Sequence, residues 1–271
     1  MLKRRTLLAT AAIATVPYAL PELALAQGRK DSMVIGMSLE PPGLDPTAGA
    51  ASAIAEIVQY NILETLTKIN SDGKITPLLA ESWEVSPDLK TYTFKLRRGV
   101  KFQNGEPFNA QTVKFAFDRA GGDKSTNKDK RTFANLSAHV VDDYTVVLLN
   151  NEIDPNLPFL LGQVTAVIVE PKSAATNAAQ PVGTGPYKLD SWARGSSLTL
   201  VKWDGFRNPG EARLKKVTFR FIADAAAQAA ALLAGDVDAF PRISTRDVPQ
   251  FRGNPRFEVI IGGTRAKTIM A

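Results

Sequence analysis

Between residues 91 and 120 the hydrophobic pattern changes its period, and this change limits the chain to a fold that mixes strands and helices. Tyr92, Phe94 and Leu96 alternate with polar side chains, as in a half-buried antiparallel strand. Asn104-Gly105 then supplies the positive φ that a tight turn needs, and Asn109 is a suitable N-cap. The apolar residues that follow recur at helical spacing: Val113, Ala116, Phe117 and Ala120. The stretch predicts a strand, a turn and a packed helix in succession.

The same stretch mixes basic and aromatic residues without forming a nucleic-acid surface. Lys95 and Arg97 fall on the solvent side of the predicted strand, whereas the aromatic residues point inward and cannot stack on bases beside them. The formal net charge of the whole chain is only +6. We therefore predict no nucleic-acid partner.

The first 26 residues have the pattern of an export signal. Three basic residues at 3–5 precede an apolar run at 7–16, which is too short to span a bilayer. Ala24-Leu25-Ala26 is a small-x-small motif, so we expect cleavage after Ala26. Arg4-Arg5-Thr6-Leu7-Leu8 resembles a twin-arginine signal, and an ordinary secretion signal is the alternative.

The inventory of reactive side chains argues against an enzyme. The chain has no cysteine, which excludes thiol nucleophiles and zinc–thiolate sites, and its one histidine is His139. A secreted hydrolase would need this histidine in a catalytic group, and the chain has no Gly-x-Ser-x-Gly elbow. We interpret His139 as a partly buried structural residue. We predict no catalytic residues, no cofactor and no metal site.

Further elements follow from periodicity and turn signals along the rest of the chain. Asp224 and Gly235 bracket an alanine-rich helix as N-cap and terminator. Val182-Gly-Thr-Gly-Pro-Tyr187 predicts a tight backbone crossing that leads into a strand, because Pro186 and the missing Gly-Lys-Ser/Thr ending argue against a phosphate loop. The other predictions are strands at 32–39, 165–169, 237–240 and 257–261, a helix at 52–66 and a hairpin at 138–149.

Five motifs in a fixed order carry a resemblance to a known family. They are Leu44-Asp45-Pro46; Pro77-Leu-Leu-Ala-Glu-Ser-Trp-Glu84; Phe94-x-Leu-Arg-x-Gly-Val-Lys-Phe102 with Asn104-Gly-x-Pro107; Val182-Gly-Thr-Gly-Pro-Tyr187; and Ala231-Leu-Leu-Ala-Gly-Asp-Val-Asp238. Together they resemble the extracytoplasmic solute-binding proteins of peptide-type ABC importers, the dipeptide, oligopeptide and nickel group known as family 5. The resemblance covers about residues 33–265.

The resemblance implies a mixed α/β fold of the type II periplasmic binding protein kind. It assigns 27–48 to the start of a first lobe, 49–180 to an inserted α+β domain, and 181–271 to an incomplete continuation of the first lobe. Family members are much longer, so the second lobe is expected to be missing. The implied function is that of a periplasmic, soluble component that captures peptides or similar small solutes for membrane permease subunits. A truncated product without a transport role is the alternative, and a secreted hydrolase is a third.

The resemblance also implies where a solute would bind. Ala50, Ala51 and Ser52 match a family position at which backbone groups face the ligand. Phe133 corresponds to an aromatic residue that covers the ligand. Glu40 is a further charged candidate at the end of the first strand, with surface solvation as the alternative.

Overall fold

The computed structural model describes residues 30–262, and from Asp31 onward these belong to one compact unit. The predicted signal peptide and the cleavage after Ala26 lie outside the described residues. The strands are β1 (Ser32–Met37), β2 (Thr67–Ile69), β3 (Ile75–Pro77), β4 (Ala80–Val85), β5 (Thr91–Leu96), β6 (Leu136–Asp142), β7 (Thr145–Asn150), β8 (Tyr187–Ala193), β9 (Ser197–Lys202) and β10 (Lys216–Phe221). The helices are α1 (Ser52–Val58), α2 (Ala110–Gly121), α3 (Lys130–Ala134), α4 (Leu157–Leu160), α5 (Ala225–Ala234) and α6 (Val248–Phe251).

The first sheet joins the start of the described chain to its second half. Its strand order is β1-β10-β9-β8, with β1 parallel to β10 and the other two pairs antiparallel. Because successive side chains of a strand point to opposite faces, Val34 faces a cluster that includes residues of α5, while Ile35 packs against the larger core. The carboxyl ends of the parallel pair, Met37 and Phe221, meet at one edge of this sheet.

The second sheet has the order β4-β5-β7-β6 and is antiparallel throughout. The prediction for residues 91–120 is confirmed. Tyr92, Phe94 and Leu96 are buried, and the apolar stripe of α2 is buried as well. Asn109 forms a capping box with Thr112, which accounts for the start of α2 at Ala110. A small hairpin of β2 and β3 stands apart from both four-stranded sheets.

The Gly-Thr-Gly segment is the predicted close backbone crossing. A Cβ on Gly183 would lie 1.9 Å from the carbonyl oxygen of Ile62, and one on Gly185 would lie 2.4 Å from that of Asn61. Backbone hydrogen bonds from Gly185 N to Ile62 O and from Tyr187 N to Asn61 O, both 2.9 Å, hold the crossing. It leads directly into β8.

Two ion pairs contain a buried carboxylate, and one of these carboxylates belongs to Asp45 of the first family motif. Asp45 accepts hydrogen bonds from the backbone and hydroxyl of Thr47 and pairs with Arg119 at 3.0 Å. Glu64 pairs with both terminal nitrogens of Arg207, at 2.6 and 2.7 Å, and accepts a hydrogen bond from Thr184. The first pair joins the loop at Asp45 to α2, and the second joins two loops that are distant in sequence.

Four predicted details are wrong. The helix expected at 52–66 ends at Val58, since Tyr60 adopts a φ of 60° and breaks the helical path. The strand expected at 165–169 is a 3-10 turn at Val164–Ala166 followed by buried extended chain. Residues 237–240 form only a single bridge, between Ala239 and Ile35, and 257–261 form no strand.

His139 also differs from expectation. It is exposed on β6 rather than partly buried, because it lies on the solvent side of the second sheet opposite Val147. Arg119, in the last turn of α2, pairs with Asp45. Neither residue joins a group with catalytic geometry among the described residues.

Candidate functional site

A cleft lies at the edge of the first sheet where β1 ends. Three segments line it: the end of β1 with Ser38 and Leu39, the first turn of α1, and the chain at 240–242. The space between these segments, open mouth included, is about 360 Å³. In sheets with parallel strands, ligands bind at the carboxyl ends of the strands. The cleft occupies this position.

The floor of the cleft depends on a glycine. A Cβ on Gly36 would lie 2.0 Å from the ring of Phe240, so only glycine lets this ring rest on β1. The contact is reinforced by a 2.8 Å hydrogen bond from Gly36 N to Ala239 O. Phe240 thereby brings Pro241 and Arg242 to the cleft.

The charged groups of the cleft form one ion pair across its rim. Arg242 contacts Glu56 of α1 at 2.5 Å, and the two side chains are 73% and 32% exposed. An exposed pair of this kind contributes little to stability, about 0–1 kcal/mol. The pair therefore adds little to the stability of the fold.

An apolar groove adjoins the cleft on the other side of this ion pair. Its empty volume is about 910 Å³ including the open mouth. Apolar side chains of the first sheet and the residues before it line the groove: Ile35, Met37, Leu200, Leu214, Val217 and Phe219. Burial raises the pKa of the Tyr187 phenol, which also lines it, so this group is uncharged at neutral pH.

The structure separates the four predicted ligand residues. Ser52 is the first residue of α1 and lines the cleft, while Ala50 and Ala51 are exposed and directly precede it. Phe133 is only 4% exposed and packs on Phe117 with a 5.5 Å separation of ring centroids. It belongs to the core in this structure and does not line the cleft, and its role as a cover for the ligand stays a prediction.

Glu40 is engaged within the protein. Its carboxylate accepts hydrogen bonds from Trp192 Nε1 at 2.9 Å and from Gly195 N at 2.8 Å. The Arg194 guanidinium lies 3.4 Å from the centroid of the Trp192 ring. Glu40 therefore fixes the β8–β9 turn against the end of β1.

Sequence reasoning missed Ser38 and the segment at 240–242. Pro241 and Arg242 follow a predicted strand and read as an ordinary loop, and only the close contact between Phe240 and Gly36 brings them to the cleft. The one available signal was Gly36 inside β1, because a glycine within a strand often marks a place where another backbone segment approaches closely.

Two features are absent from residues 30–262. Within that range no three or more His, Cys, Asp or Glu residues gather as a group that could hold a metal ion. No helix in the same range is long and apolar enough to cross a membrane.

Comparison with known proteins settles the family. The family model described as bacterial extracellular solute-binding proteins, family 5 Middle, matches residues 74–270. The chain belongs to this family. Its described part has the mixed α/β fold of the solved structures that it matches, which are type II periplasmic binding proteins.

Among curated relatives, the glutathione-binding protein GsiB of Escherichia coli K12 is 32% identical over 240 residues. The match covers 86% of this chain and 45% of GsiB. The chain thus spans about half the length of the curated relatives it matches.

Two solved structures of binding proteins have a similar fold. The binding protein AgaA of A. tumefaciens R10, in complex with agropinic acid, is 31% identical with a TM-score of 0.78, covering 83% of this chain and 46% of AgaA. The periplasmic binding protein DppA of Helicobacter pylori, in complex with the peptide STSA, is 26% identical with a TM-score of 0.74, covering 83% of this chain and 49% of DppA.

Proposed function

We propose that this chain is the first-lobe part of the substrate-binding component of an ABC importer. It captures peptides or similar small solutes in the periplasm and presents them to permease subunits in the membrane. The observation that carries the proposal is the cleft at the carboxyl end of β1, lined by Ser38, Ser52 and Arg242 in a chain of this family. The protein acts by binding, without catalysis.

The proposed domain division is 27–48, 49–180 and 181–271. It is supported by the two sheets: β1 and β8–β10 form one of them, and β4–β7 form the other. The close crossing at 183–185 lies where the chain passes from the second sheet back to the first.

The solute class rests on the cleft and on the relatives. Ala50, Ala51 and Ser52 have small side chains and are exposed, and Ser52 lines the cleft, so an extended solute can approach the backbone closely there. The related proteins bind glutathione, agropinic acid and a tetrapeptide according to their descriptions. We propose a small peptide-like solute that carries carbonyl or carboxylate oxygens.

Binding by the protein purified from its native host tests the proposal. Thermal unfolding is measured with reduced glutathione, with trialanine and with a mixture of di- to pentapeptides. A ligand at 100 times its Kd should stabilise the folded state by about 2.7 kcal/mol and raise Tm by several degrees. Absence of any stabilisation would contradict the proposal and favour a product without a transport role.

A matched pair of variants locates the binding. Ser52→Trp fills the cleft and should abolish the ligand-induced rise in Tm, while Gln111→Trp introduces the same ring at an exposed position of α2 and should retain it. Equal effects of the two substitutions would mean that the solute binds elsewhere.

The hydrolase alternative is tested at the one histidine. His139 is exposed on β6, outside the cleft. Any peptide hydrolysis by the purified protein should be unchanged in His139→Ala, since binding needs no general base. Hydrolysis that disappears with this substitution would restore the enzyme hypothesis.

A further inference from the structure

Ser38 is the first residue after β1, and it lines the cleft. Its hydroxyl group contacts one protein group, the side-chain amide of Gln228 at 3.2 Å. Gln228 lies on α5 and is only 4% exposed, so this amide is part of the buried structure. Whether Ser38 offers the cleft a donor or an acceptor therefore depends on Gln228.

The orientation of the Gln228 amide follows from its second contact. Nε2 lies 2.8 Å from the carbonyl oxygen of Ile222. A carbonyl oxygen can only accept a hydrogen bond, so the nitrogen and not the oxygen of the amide must face it. One amide hydrogen is thus directed to Ile222. The other has two acceptors within reach, and Ser38 Oγ at 3.2 Å is nearer than the Ala223 carbonyl oxygen at 3.5 Å.

The Ser38 oxygen consequently acts as an acceptor inside the protein. A hydroxyl group that accepts from Gln228 must direct its own hydrogen elsewhere. Within residues 30–262 no acceptor takes that hydrogen, and Ser38 is an exposed residue that lines the cleft. The hydrogen is left pointing at solvent or at a bound molecule.

We propose that Ser38 is a preset hydrogen-bond donor in the cleft, oriented by Gln228, and that it recognises an oxygen acceptor of the solute. Gln228 is a positioning residue, because it acts only through Ser38. The acceptor is a backbone carbonyl or a terminal carboxylate oxygen. This inference rests on the proposed function and assigns a specific contact to the same cleft.

Fixing the donor in advance has an energetic consequence. A free serine hydroxyl rotates among three staggered positions, and binding must select one of them. When Gln228 occupies the oxygen, that selection is made before the solute arrives. Pre-organisation of this kind lowers the entropy cost of binding.

The test measures Kd for reduced glutathione and trialanine, each also as its C-terminal amide, with the protein from its native host. Ser38→Ala should weaken binding by about three- to tenfold, the range for one neutral hydrogen bond. Ser38→Thr keeps the hydroxyl and should stay within about twofold of the original affinity. Ser137→Ala, the same change at an exposed position of β6, should have no effect.

A double-substitution cycle separates positioning from general damage. Gln228→Leu alone should weaken binding by about two- to threefold, and it should cause no further loss when combined with Ser38→Ala. A further loss in the combined variant would show that Gln228 acts on the site by another route. If the effect of Ser38→Ala is lost with the C-terminal amides, the acceptor is the terminal carboxylate. If the effect persists with the amide of trialanine, which has no carboxylate, the acceptor is a carbonyl oxygen.

The outcomes distinguish this inference from the proposed function. Tight binding by the original protein that is unchanged in Ser38→Ala would overturn the donor and leave the function standing. Failure of the original protein to bind either probe would overturn both. The NMR signal of the Gln228 side-chain amide provides a measurement that needs no solute. One of its two proton resonances should shift in Ser38→Ala and should stay near its original position in Ser38→Thr.

Discussion

At the scale of single residues, Gly183 decides whether the two sheets can be connected as they are. Its missing side chain lets the backbone pass 61–62 at a distance that any Cβ would violate, because the nearest atoms are backbone and cannot rotate away. Gly183→Ala should cost more than about 3 kcal/mol of unfolding free energy, or prevent folding. Gly210→Ala is the control, since no atom lies within 4 Å of an added Cβ at this position. A small gain in the free energy of unfolding is expected. Urea denaturation of both variants measures the difference.

The ion pair of Glu64 and Arg207 belongs to the same scale. Both side chains are largely buried, with 3% and 16% exposure, and two hydrogen bonds join them. Arg207→Met should destabilise the fold by about 3–5 kcal/mol, because it leaves a buried carboxylate without its partner. Lys114→Met breaks the exposed pair with Asp118 on α2 and should change stability by less than about 0.5 kcal/mol. Similar losses in the two variants would contradict this account.

At the scale of elements, two aspartates that precede helices allow the contribution of N-capping to stability to be tested. Asp224 accepts a hydrogen bond from Ala227 N at the start of α5, whereas Asp247 precedes α6 without a side-chain cap bond. Asp224→Ala should therefore lower the unfolding free energy by about 1 kcal/mol, and Asp247→Ala should cause no loss from capping. Chemical denaturation monitored by circular dichroism compares the two.

Elements whose sequence signals lie within a few neighbouring residues were predictable, and elements that depend on contacts distant in sequence were not. The alternation before Leu96, the cap at Asn109 and the cap at Asp224 all act within a few residues, and the structure has each of them. The helix at 52–66 was overextended because Ile62 and Leu66 continue the apolar pattern as buried loop residues. Their burial comes from tertiary packing, which periodicity alone cannot separate from a helix.

The candidate site was predictable only in part, for the same reason. Ser52 came from a motif that resembles the family, and it does line the cleft. Ser38 depends on a residue 190 positions away in the chain, and Arg242 depends on the contact between Phe240 and Gly36. No local pattern contains either relation.

At the scale of the whole molecule, exposed carboxylates make the free energy of unfolding depend on pH in the acidic range. The pKa values of Asp72, Asp88 and Asp142 are held below the ordinary 3.8 by hydrogen bonds in turns, led by Lys74 N for Asp72, the Ser86 hydroxyl for Asp88 and Tyr144 N for Asp142. A side-chain hydrogen bond from Lys215 lowers the pKa of Asp31 in the same way. All four groups favour the folded state when they are ionised.

The direction of the pH dependence follows from these shifts. A carboxyl group whose pKa is lower in the folded state binds fewer protons there, so its contribution is complete above the unfolded pKa of 3.8 and is lost as the pH falls through the folded value. The urea midpoint should therefore be flat from pH 7 to about pH 5 and fall progressively below about pH 4. Asp88→Asn and Asp142→Asn should each flatten this acid limb, because an amide does not titrate. An acid limb that is unchanged in the double variant would show that other groups, outside these turns, control unfolding in acid.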